Sequence, residues 1–265
     1  MLETAVELAR FRSLLATLTA RELKARYRGS VLGFFWSLVN PLLLLAVYGF
    51  VFGYILNPRL GDVDPYAVFL VTGLFPWVWF SSSVLEGSGS LLANAGLIRK
   101  AAFPAEVLPA VSVASHLVHF LLALPIVAGA LAVGRYLGHP VGGWGALLLP
   151  AVVLLQLPLV AGLALGLAAL AAHFKDVRDI LSNLLTLLFF STPIIYPLEA
   201  VPEWIRGALR ANPLTPFTLA YQDVLFRGVV PEPSLWLQMA VVSLVGWAAG
   251  SWLFERLRET VVEAV

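Results

Sequence analysis

The sequence contains no cysteine and few charged residues. Without cysteine there can be no disulfide, no thiolate nucleophile and no cysteine-bound zinc site. Charged residues make up 12% of the chain and hydrophobic residues 60%, whereas soluble domains have roughly 25% and 45–50%. The net charge of only +1 argues against a nucleic-acid binder, which needs a concentrated basic surface. These shortages are typical of an integral membrane protein.

The chain also lacks the signature of a nucleotide-binding loop. Such a loop needs a lysine followed by Ser or Thr, but Lys24, Lys100 and Lys175 are followed by Ala, Ala and Asp. The hydrolase signature GxSxG and the metalloprotease signature HExxH are missing as well. We therefore predict no catalytic residue and no metal site. The chain is expected not to be an enzyme, with an intramembrane glycosyl- or acyltransferase as the alternative from another class.

Long uncharged runs divide the sequence into membrane spans. Thirty consecutive residues between Arg28 and Arg59 carry no charge, and about 20 apolar helical residues cross the hydrocarbon core. The pattern predicts an all-α integral membrane protein in which residues 1–265 form a single transmembrane domain. The six predicted spans are about 31–56, 65–88, 107–134, 144–172, 180–197 and 235–254.

The distribution of basic residues orients these spans. Six spans put both termini on one side, and that side carries twelve Lys and Arg residues against five on the other. The positive-inside rule then predicts a multi-pass protein of the cell inner membrane with both termini cytoplasmic. The first 28 residues carry no cleavable signal pattern, so we expect the spans themselves to direct insertion.

Two segments are neither spans nor simple loops. Residues 4–28 place apolar side chains on one helical face and Arg21, Lys24 and Arg28 on another. This pattern predicts an amphipathic helix in the membrane interface, with a solvated cytoplasmic helix as the alternative. Residues 199–228 contain apolar pieces broken by prolines and too short to cross the membrane. They predict two short re-entrant helices on the external side, before the last span.

Three ionisable residues near the spans have two interpretations each. Glu86 follows an uncharged run, so we expect it near the cytoplasmic end of the second span, as a structural carboxylate or a functional one. His116 and His119 lie one helical turn apart in the third span. They either hydrogen-bond to a neighbouring helix or serve a metal or proton role.

Aromatic residues crowd the first and fifth predicted spans. Trp and Tyr at span ends ordinarily form interfacial belts, and that interpretation stays open here. Aromatic side chains inside the spans could instead give a sugar chain stacking surfaces without a tight, sequence-specific grip. The candidate channel-lining aromatics are Phe34, Phe35, Trp36, Tyr48, Phe189, Phe190 and Tyr196.

Several motifs follow one another along nearly the whole chain. They are Arg26-Tyr-Arg-Gly-Ser-Val-Leu-Gly-Phe-Phe-Trp36, Gly73-Leu-Phe-Pro-Trp77, Leu97-Ile-Arg-Lys100, Phe174-Lys-Asp-Val-Arg-Asp-Ile180, Thr192-Pro-Ile-Ile-Tyr-Pro197 and Asn212-Pro-Leu-Thr-Pro216. In this order the sequence resembles the permease subunit of type-2 ABC exporters of polysaccharides. That family includes the O-antigen, capsular polysaccharide and teichoic acid exporters.

The resemblance implies partners, a substrate and a coupling site. It implies a homodimer working with two copies of a separate ABC ATPase, which would hold the ATP and Mg²⁺, so that this chain has no cofactor of its own. The substrate would be an O-antigen-like, lipid-linked polysaccharide exported from the cytoplasm, with teichoic acid, capsule, drug or lipid as alternatives. The connector after the second span would dock in the ATPase through Leu97, Arg99, Lys100 and Phe103.

The resemblance also gives the two unusual segments a role. The N-terminal helix would lie where the substrate enters, with Arg21, Lys24, Arg26 and Arg28 meeting the pyrophosphate of the lipid-linked glycan. Attraction to anionic membrane lipid, about 1 kcal/mol per basic residue, is the alternative for these residues. Residues 199–228 would narrow the external mouth of the channel.

Overall fold

The fold is helical throughout the part of the chain that the computed structural model describes, which is residues 2–26, 28–29, 35–55, 65–98 and 103–264. This agrees with the all-α prediction. The helices are α1 (Leu2–Arg10), α2 (Arg12–Arg26), α3 (Trp36–Tyr48), α4 (Tyr66–Ala93), α5 (Ala95–Ile98), α6 (Val107–Tyr136), α7 (Leu149–His173), α8 (Val177–Phe190), α9 (Glu203–Ala211), α10 (Thr215–Tyr221) and α11 (Pro233–Ala264). Helices α3 and α10 continue as π-helical turns over Gly49–Ile55 and Gln222–Arg227, and a 3₁₀ turn at Trp144–Leu148 leads into α7.

Helix α4 lies at the centre of the fold. It packs against α6 and α7 and also contacts α3, α8 and α10. In its most apolar stretch 72% of the residues are buried, against 28–33% in the corresponding stretches of α6, α7 and α11. Phe69 and Trp79 are among its fully buried side chains, and Trp79 stacks on Phe120 of α6 with ring centroids 5.4 Å apart. Helices α6 and α7 therefore flank α4, while α11 packs on α7.

Among the described residues, four helices are long and apolar enough to cross a membrane. They are Tyr66–Ala93, Val107–Tyr136, Trp144–His173 and Pro233–Arg258. These helices coincide with the second, third, fourth and sixth predicted spans. The chain is thus an all-helical protein with membrane-spanning character.

The first and fifth predicted spans correspond to shorter helices. Helix α3 and its π-helical continuation cover 36–55, while 31–34 and 56 lie outside the described residues. Helix α8 has 14 residues, about 21 Å of helix, and ends at Phe190 rather than at 197. Helix α8 ends early because Pro193 has no amide hydrogen and disfavours a helical residue before it. That six spans cross the membrane stays a prediction.

Helices α7 and α11 pack closely through facing glycines. Gly162 and Gly166 on α7 meet Gly246 and Gly250 on α11, with both pairs in GxxxG spacing. A Cβ atom at Gly250 would overlap the backbone of Gly162, and one at Gly162 would overlap the backbone of Gly246. Membrane helices associate through such close backbone contact because lipid supplies no hydrophobic driving force between them.

The predicted N-terminal helix over 4–28 is present as two consecutive helices, α1 and α2, that meet at Phe11. The backbone hydrogen bonds continue through Phe11 on both sides. Helix α1 contacts the end of α11 through an ion pair, while α2 packs against α6. Helix α2 ends at Arg26, two residues earlier than predicted, because Gly29 turns the chain with φ = +80°.

The two short helices predicted within 199–228 are present as α9 and α10, and they differ in burial. Helix α9 has no buried residue, whereas α10 is buried along most of its length. Asn212 separates them: its side-chain oxygen accepts the amide of Leu214 at 2.9 Å, and its nitrogen donates to the Thr192 hydroxyl at 3.0 Å. The turn after α8 therefore holds the junction of the two helices. Their position relative to the membrane stays a prediction.

Candidate functional site

A groove of about 400 Å³ runs between α3, α4 and α8. Its apolar wall contains Tyr48 from α3, Trp77 from α4, and Phe189 and Phe190 from α8. Phe189 lies at the centre, with ring centroids 5.5 Å from Tyr48, 5.6 Å from Trp77 and 5.2 Å from Phe190. We call this cavity, with its four aromatic side chains, the aromatic groove. Three of the predicted channel-lining aromatics meet in it.

The other predicted aromatics lie elsewhere. Phe35 and Trp36 are exposed at the start of α3 and do not line the groove. Tyr196 is half-buried after α8, where its hydroxyl donates to the carbonyl of Phe190 at 2.8 Å and so supports the end of that helix. Phe34 lies outside the described residues. Among the described candidates from the first predicted span, Tyr48 thus lines the groove, whereas Phe35 and Trp36 do not.

Hydroxyl groups face the same groove from two helices. They belong to Ser81 and Ser82 on α4 and to Ser182 and Thr186 on α8. Ser81 and Ser82 belong to a run of three serines on α4. The third, Ser83, is fully buried, while its two neighbours line the groove. The spacing of four between the α8 hydroxyls, which puts them on one helical face, is the signal that could have found this pair.

A second cavity, of about 460 Å³, opens between α2, α4, α6 and the start of α8. Its charged lining residues are Arg21 and Glu22 from α2, Glu86 from α4 and Arg178 from α8. We call it the basic cavity after its two arginines, which equal its two acidic residues in number. Of the four basic residues predicted to meet a pyrophosphate, only Arg21 lines it. Lys24, Arg26 and Arg28 are exposed and are not among its lining residues.

Arg26 is engaged with Glu86, which joins three helices. Its guanidinium makes two hydrogen bonds to the Glu86 carboxylate, one of them at 3.2 Å, and lies 3.4 Å from Glu22. On the other side of Glu86, the Nε2 atom of His116 from α6 lies 3.0 Å from the carboxylate. Glu86 therefore ties α4 to both α2 and α6.

This contact also bears on the histidine pair. The predicted third span, 107–134, contains no carboxylate, and the partner of His116 comes from the helix packed beside it. His119 lies next to His116, with ring centroids 5.6 Å apart. No group of three metal-ligating side chains occurs within the described ranges. An inter-helix contact is thus the role that the geometry supports for His116.

The predicted coupling segment leads into a second charged junction. Leu97 and Phe103 are partly buried against an apolar cluster that includes Leu91 and Leu165, while Arg99 and Lys100 lie outside the described residues. Leu97 belongs to the short helix α5. The two described coupling candidates therefore contribute packing in the structure.

Directly after this segment, Glu106 is buried at the start of α6. It lies 3.7 Å from Arg258 of α11, which in turn lies 3.0 Å from Glu7 of α1. Burial, together with a hydrogen bond to Glu7, raises the pKa of Glu106 to about 7. That hydrogen bond and the adjacent Arg258 lower the pKa of Glu7. We call these three residues the acid–arginine junction.

Comparison with known proteins identifies the family. Residues 13–226 match the family described as ABC-2 type transporter. The chain is 39% identical to the O-antigen export system permease protein RfbA of Myxococcus xanthus, with 100% of both chains covered. It is 34% identical to the RfbA permease of Klebsiella pneumoniae over 82% of each chain. It is 25% identical to the polysialic acid transport protein KpsM of Escherichia coli over 91% of this chain and 92% of that protein.

These similarities confirm the resemblance that the ordered motifs indicated. They extend over the helices that build both cavities, and one of them covers the chain from end to end. With four apolar helices of spanning length and a family match over most of its residues, the chain belongs to the ABC-2 type transporter family of membrane proteins.

Proposed function

We propose that this chain is the membrane subunit of an ATP-driven exporter that moves an O-antigen-like, lipid-linked polysaccharide from the cytoplasm across the inner membrane. The observation that carries the proposal is the full-length similarity to an O-antigen export permease. The aromatic groove supports it, because the groove combines stacking surfaces with hydroxyl groups. The similarity to a polysialic acid transport protein makes a capsular polysaccharide the second candidate.

The composition of the groove suits a sugar chain that must keep moving. Aromatic faces cover the apolar faces of sugar rings, and Ser and Thr hydroxyls exchange hydrogen bonds with sugar hydroxyls. A conducting site must bind its cargo well enough to admit it and weakly enough to release it. Phe190 and Thr186 are both exposed, so the groove offers shallow contacts rather than an enclosed pocket.

We further propose that the groove lines a channel shared by two copies of the chain, with six spans in each and both termini cytoplasmic. Large apolar side chains on α3 and α8 are exposed, including Leu43, Val47 and Leu187. These are the helices that border the groove, so a second copy seated there would close it. The concentration of basic residues on one side of the six-span topology supports the orientation.

Energy would come from two copies of a separate ATPase that hold ATP and Mg²⁺. We propose that Leu97, Arg99, Lys100 and Phe103 contact this partner. The segment supports the proposal because it begins directly after α4 and ends directly before Glu106, at one end of the two helices that contact the basic cavity. Arg21, Lys24, Arg26 and Arg28 would lie beside the entering substrate.

The test is transport by the chain reconstituted with its ATPase in lipid vesicles. A lipid-linked O-antigen added on the ATPase side should move to the vesicle interior only with ATP and should raise the rate of ATP hydrolysis. The isolated chain should hydrolyse no ATP. Hydrolysis by the isolated chain, or transfer of sugar to an acceptor without any ATPase, would contradict the proposal and favour the intramembrane transferase. A His116→Ala variant that lost such transfer would strengthen that alternative.

A further inference from the structure

We propose that a cavity between α9, α10 and α11 binds the head group of an ethanolamine phospholipid, with Arg210 taking its phosphate and Glu232 its ammonium group. The inference goes beyond the proposed function, because it concerns a lipid of the surrounding membrane and not the exported glycan. It depends on the chain lying in a membrane, which the family match and the four helices of spanning length support.

The cavity has a volume of about 600 Å³. It lies between the end of α9, helix α10 with its π-helical continuation, and the start of α11. Ligand sites commonly have volumes of about 300–1,000 Å³ with a few convergent polar groups, so the size suits a lipid head group. We call it the mixed-charge cavity, after its charged lining residues Glu199, Arg210, Asp223, Arg227 and Glu232.

The mixed-charge cavity lies at the end of a helix that is long enough to span the membrane. The apolar spanning stretch of α11 is Pro233–Arg258, and Ser234, Leu235 and Gln238 from its first two turns line the cavity. The hydrocarbon core takes about 20 helical residues, and the head groups lie beyond it. The start of α11, and the cavity with it, therefore lies at the depth of the head groups.

An apolar face of α11 leads away from the cavity. Gln238 of the cavity wall, Val241 and Val245 follow one another at spacings of three and four, which places them on one helical face, and all three are exposed. Val229 and Val230 add exposed apolar side chains to the wall itself. A lipid whose head group occupies the cavity can therefore lay an acyl chain along α11.

The carboxylates of the cavity outnumber its arginines. One guanidinium nitrogen of Arg227 lies 3.1 Å from a carboxylate oxygen of Glu199, and another lies 3.0 Å from Asp223. A single positive charge does not offset these two carboxylates. Burial raises the pKa of Asp223, and although Arg227 opposes this, the charges of Glu199 and Glu232 raise that pKa further. The surroundings of Asp223 therefore favour a cationic group in the cavity.

Arg210 and Glu232 have unused hydrogen-bonding capacity. In the described part of the chain, the Arg210 guanidinium makes no hydrogen bond or ion pair, and the Glu232 carboxylate accepts only the Ser234 hydroxyl, at 3.3 Å. A guanidinium group matches phosphate oxygens in bidentate fashion, and a primary ammonium group has three N–H donors for a carboxylate. An ethanolamine head group carries both partners. Choline has no N–H donor on its nitrogen, and phosphatidylglycerol has no cation.

The experiment titrates three lipids separately into the delipidated full chain in detergent. Native mass spectrometry gives the affinity of the first bound phosphatidylethanolamine, phosphatidylcholine or phosphatidylglycerol for wild type, Arg210→Gln and Glu232→Gln. Wild type should bind phosphatidylethanolamine most tightly. Each substitution should weaken that binding about tenfold, the effect of losing one charge-assisted contact.

Two matched controls separate this effect from a general change of surface charge. Glu203→Gln removes an exposed carboxylate of α9 that does not line the cavity, and Arg12→Gln removes an exposed cation of α2. Both controls should bind phosphatidylethanolamine as wild type does. Arg210 and Glu232 are themselves exposed, so we expect thermal unfolding of their variants to match wild type.

Three outcomes would overturn the inference. Equal affinity of wild type for phosphatidylethanolamine and phosphatidylcholine would show that the ammonium donors are not recognised, and this comparison needs no variant. Wild-type affinity in Arg210→Gln or Glu232→Gln would remove that residue from the site. Displacement of phosphatidylethanolamine by a soluble oligosaccharide would identify a sugar site instead. A chain that prefers phosphatidylethanolamine but exports no glycan would contradict the proposed function alone.

Discussion

Helices α7 and α11 meet glycine to glycine, whereas α3 and α8 stand apart from each other across the aromatic groove. The first pair brings two backbones together so closely that a single methyl group does not fit at Gly250. The second pair exposes Phe190 and Thr186 to a cavity of about 400 Å³. Both pairs are made of apolar helices. The difference shows that side-chain size, and not hydrophobicity, separates the supporting wall of this protein from its candidate substrate surface.

The largest expected effect comes from breaking the glycine contact. Gly250→Val places a branched side chain against the backbone of Gly162, so we expect a loss of about 3 kcal/mol or more, or no folded protein. Folded yield and thermal unfolding in detergent measure it. Gly129→Val in α6 is the matched control, because a Cβ atom there has no neighbour within 4 Å. Equal losses in both variants would contradict the packing argument.

The acid–arginine junction should make stability fall as pH rises. Glu106 has a pKa of about 7 in the folded protein against 4.5 without its surroundings, so the folded state holds more protons between these values. The contribution of Glu106 to the free energy of unfolding is fully present below about pH 4.5. It is lost as pH rises to about 7, and the loss is on the order of 1–3 kcal/mol. Glu7, whose pKa is lowered, acts in the opposite direction and only below about 4.5.

Glu106→Gln is the matched test, since the amide resembles the protonated carboxyl. Thermal unfolding should be similar for both proteins at pH 5, and wild type should be the less stable at pH 8. Glu7, Arg10 and Arg258 face the carboxyl or its partner and are unchanged in both proteins. Parallel curves for the two proteins would show that Glu106 does not titrate in this range.

The groove predicts a smaller effect, confined to transport. Phe190→Ala removes an exposed ring next to Phe189, so export in the reconstituted system should fall about threefold to tenfold, with thermal stability unchanged. Leu154→Ala is the control, because Leu154 is an exposed apolar side chain on α7 that does not line the groove. An equal loss of export in both variants would mean that export depends on exposed apolar surface in general and not on the aromatic face.

The smallest effect is local and concerns the contact between α2 and α4. Glu86→Gln removes the carboxylate that holds Arg26, so amide hydrogen exchange over residues 12–26 should become faster while the other helices keep their protection. Glu22→Gln removes only a neighbour on the same helix and should change exchange by less, because such pairs contribute about 0.2–0.5 kcal/mol. Unchanged exchange in Glu86→Gln would contradict the role of this contact.

Long uncharged runs made most of the helices predictable. The extents of α6 and α7 follow closely from runs without charge, whereas α4 continues past Glu86 to Ala93. The two short helices follow from the prolines around Asn212. The end of α8 was predicted too late because an apolar run containing Pro193 can turn without changing its composition. Composition indicates whether a segment lies in lipid or in water, but it does not indicate where the backbone turns.

The candidate site was predictable only in part. Tyr48, Phe189 and Phe190 were found because aromatics inside spans are unusual. The position of Arg178 in the cavity wall was missed because it depends on α8 lying beside Gly89 of α4, which sequence spacing does not reveal. The contact of His116 with Glu86 was missed for the same reason. Contacts between helices that are far apart in the chain can be identified only once the packing of those helices is known.

The acid–arginine junction has a consequence for the order of folding. Glu7 and Arg258 are separated by 251 positions, and Thr4 bonds to Glu255 over the same separation. Synthesis delivers the N-terminal end first, so α1 must wait for almost the whole chain before its partner residues exist. A chain released early would insert its first spans but would leave α1 without Glu255 and Arg258, its partners on α11. Completion of the last helix thus sets the earliest point at which α1 can form these contacts.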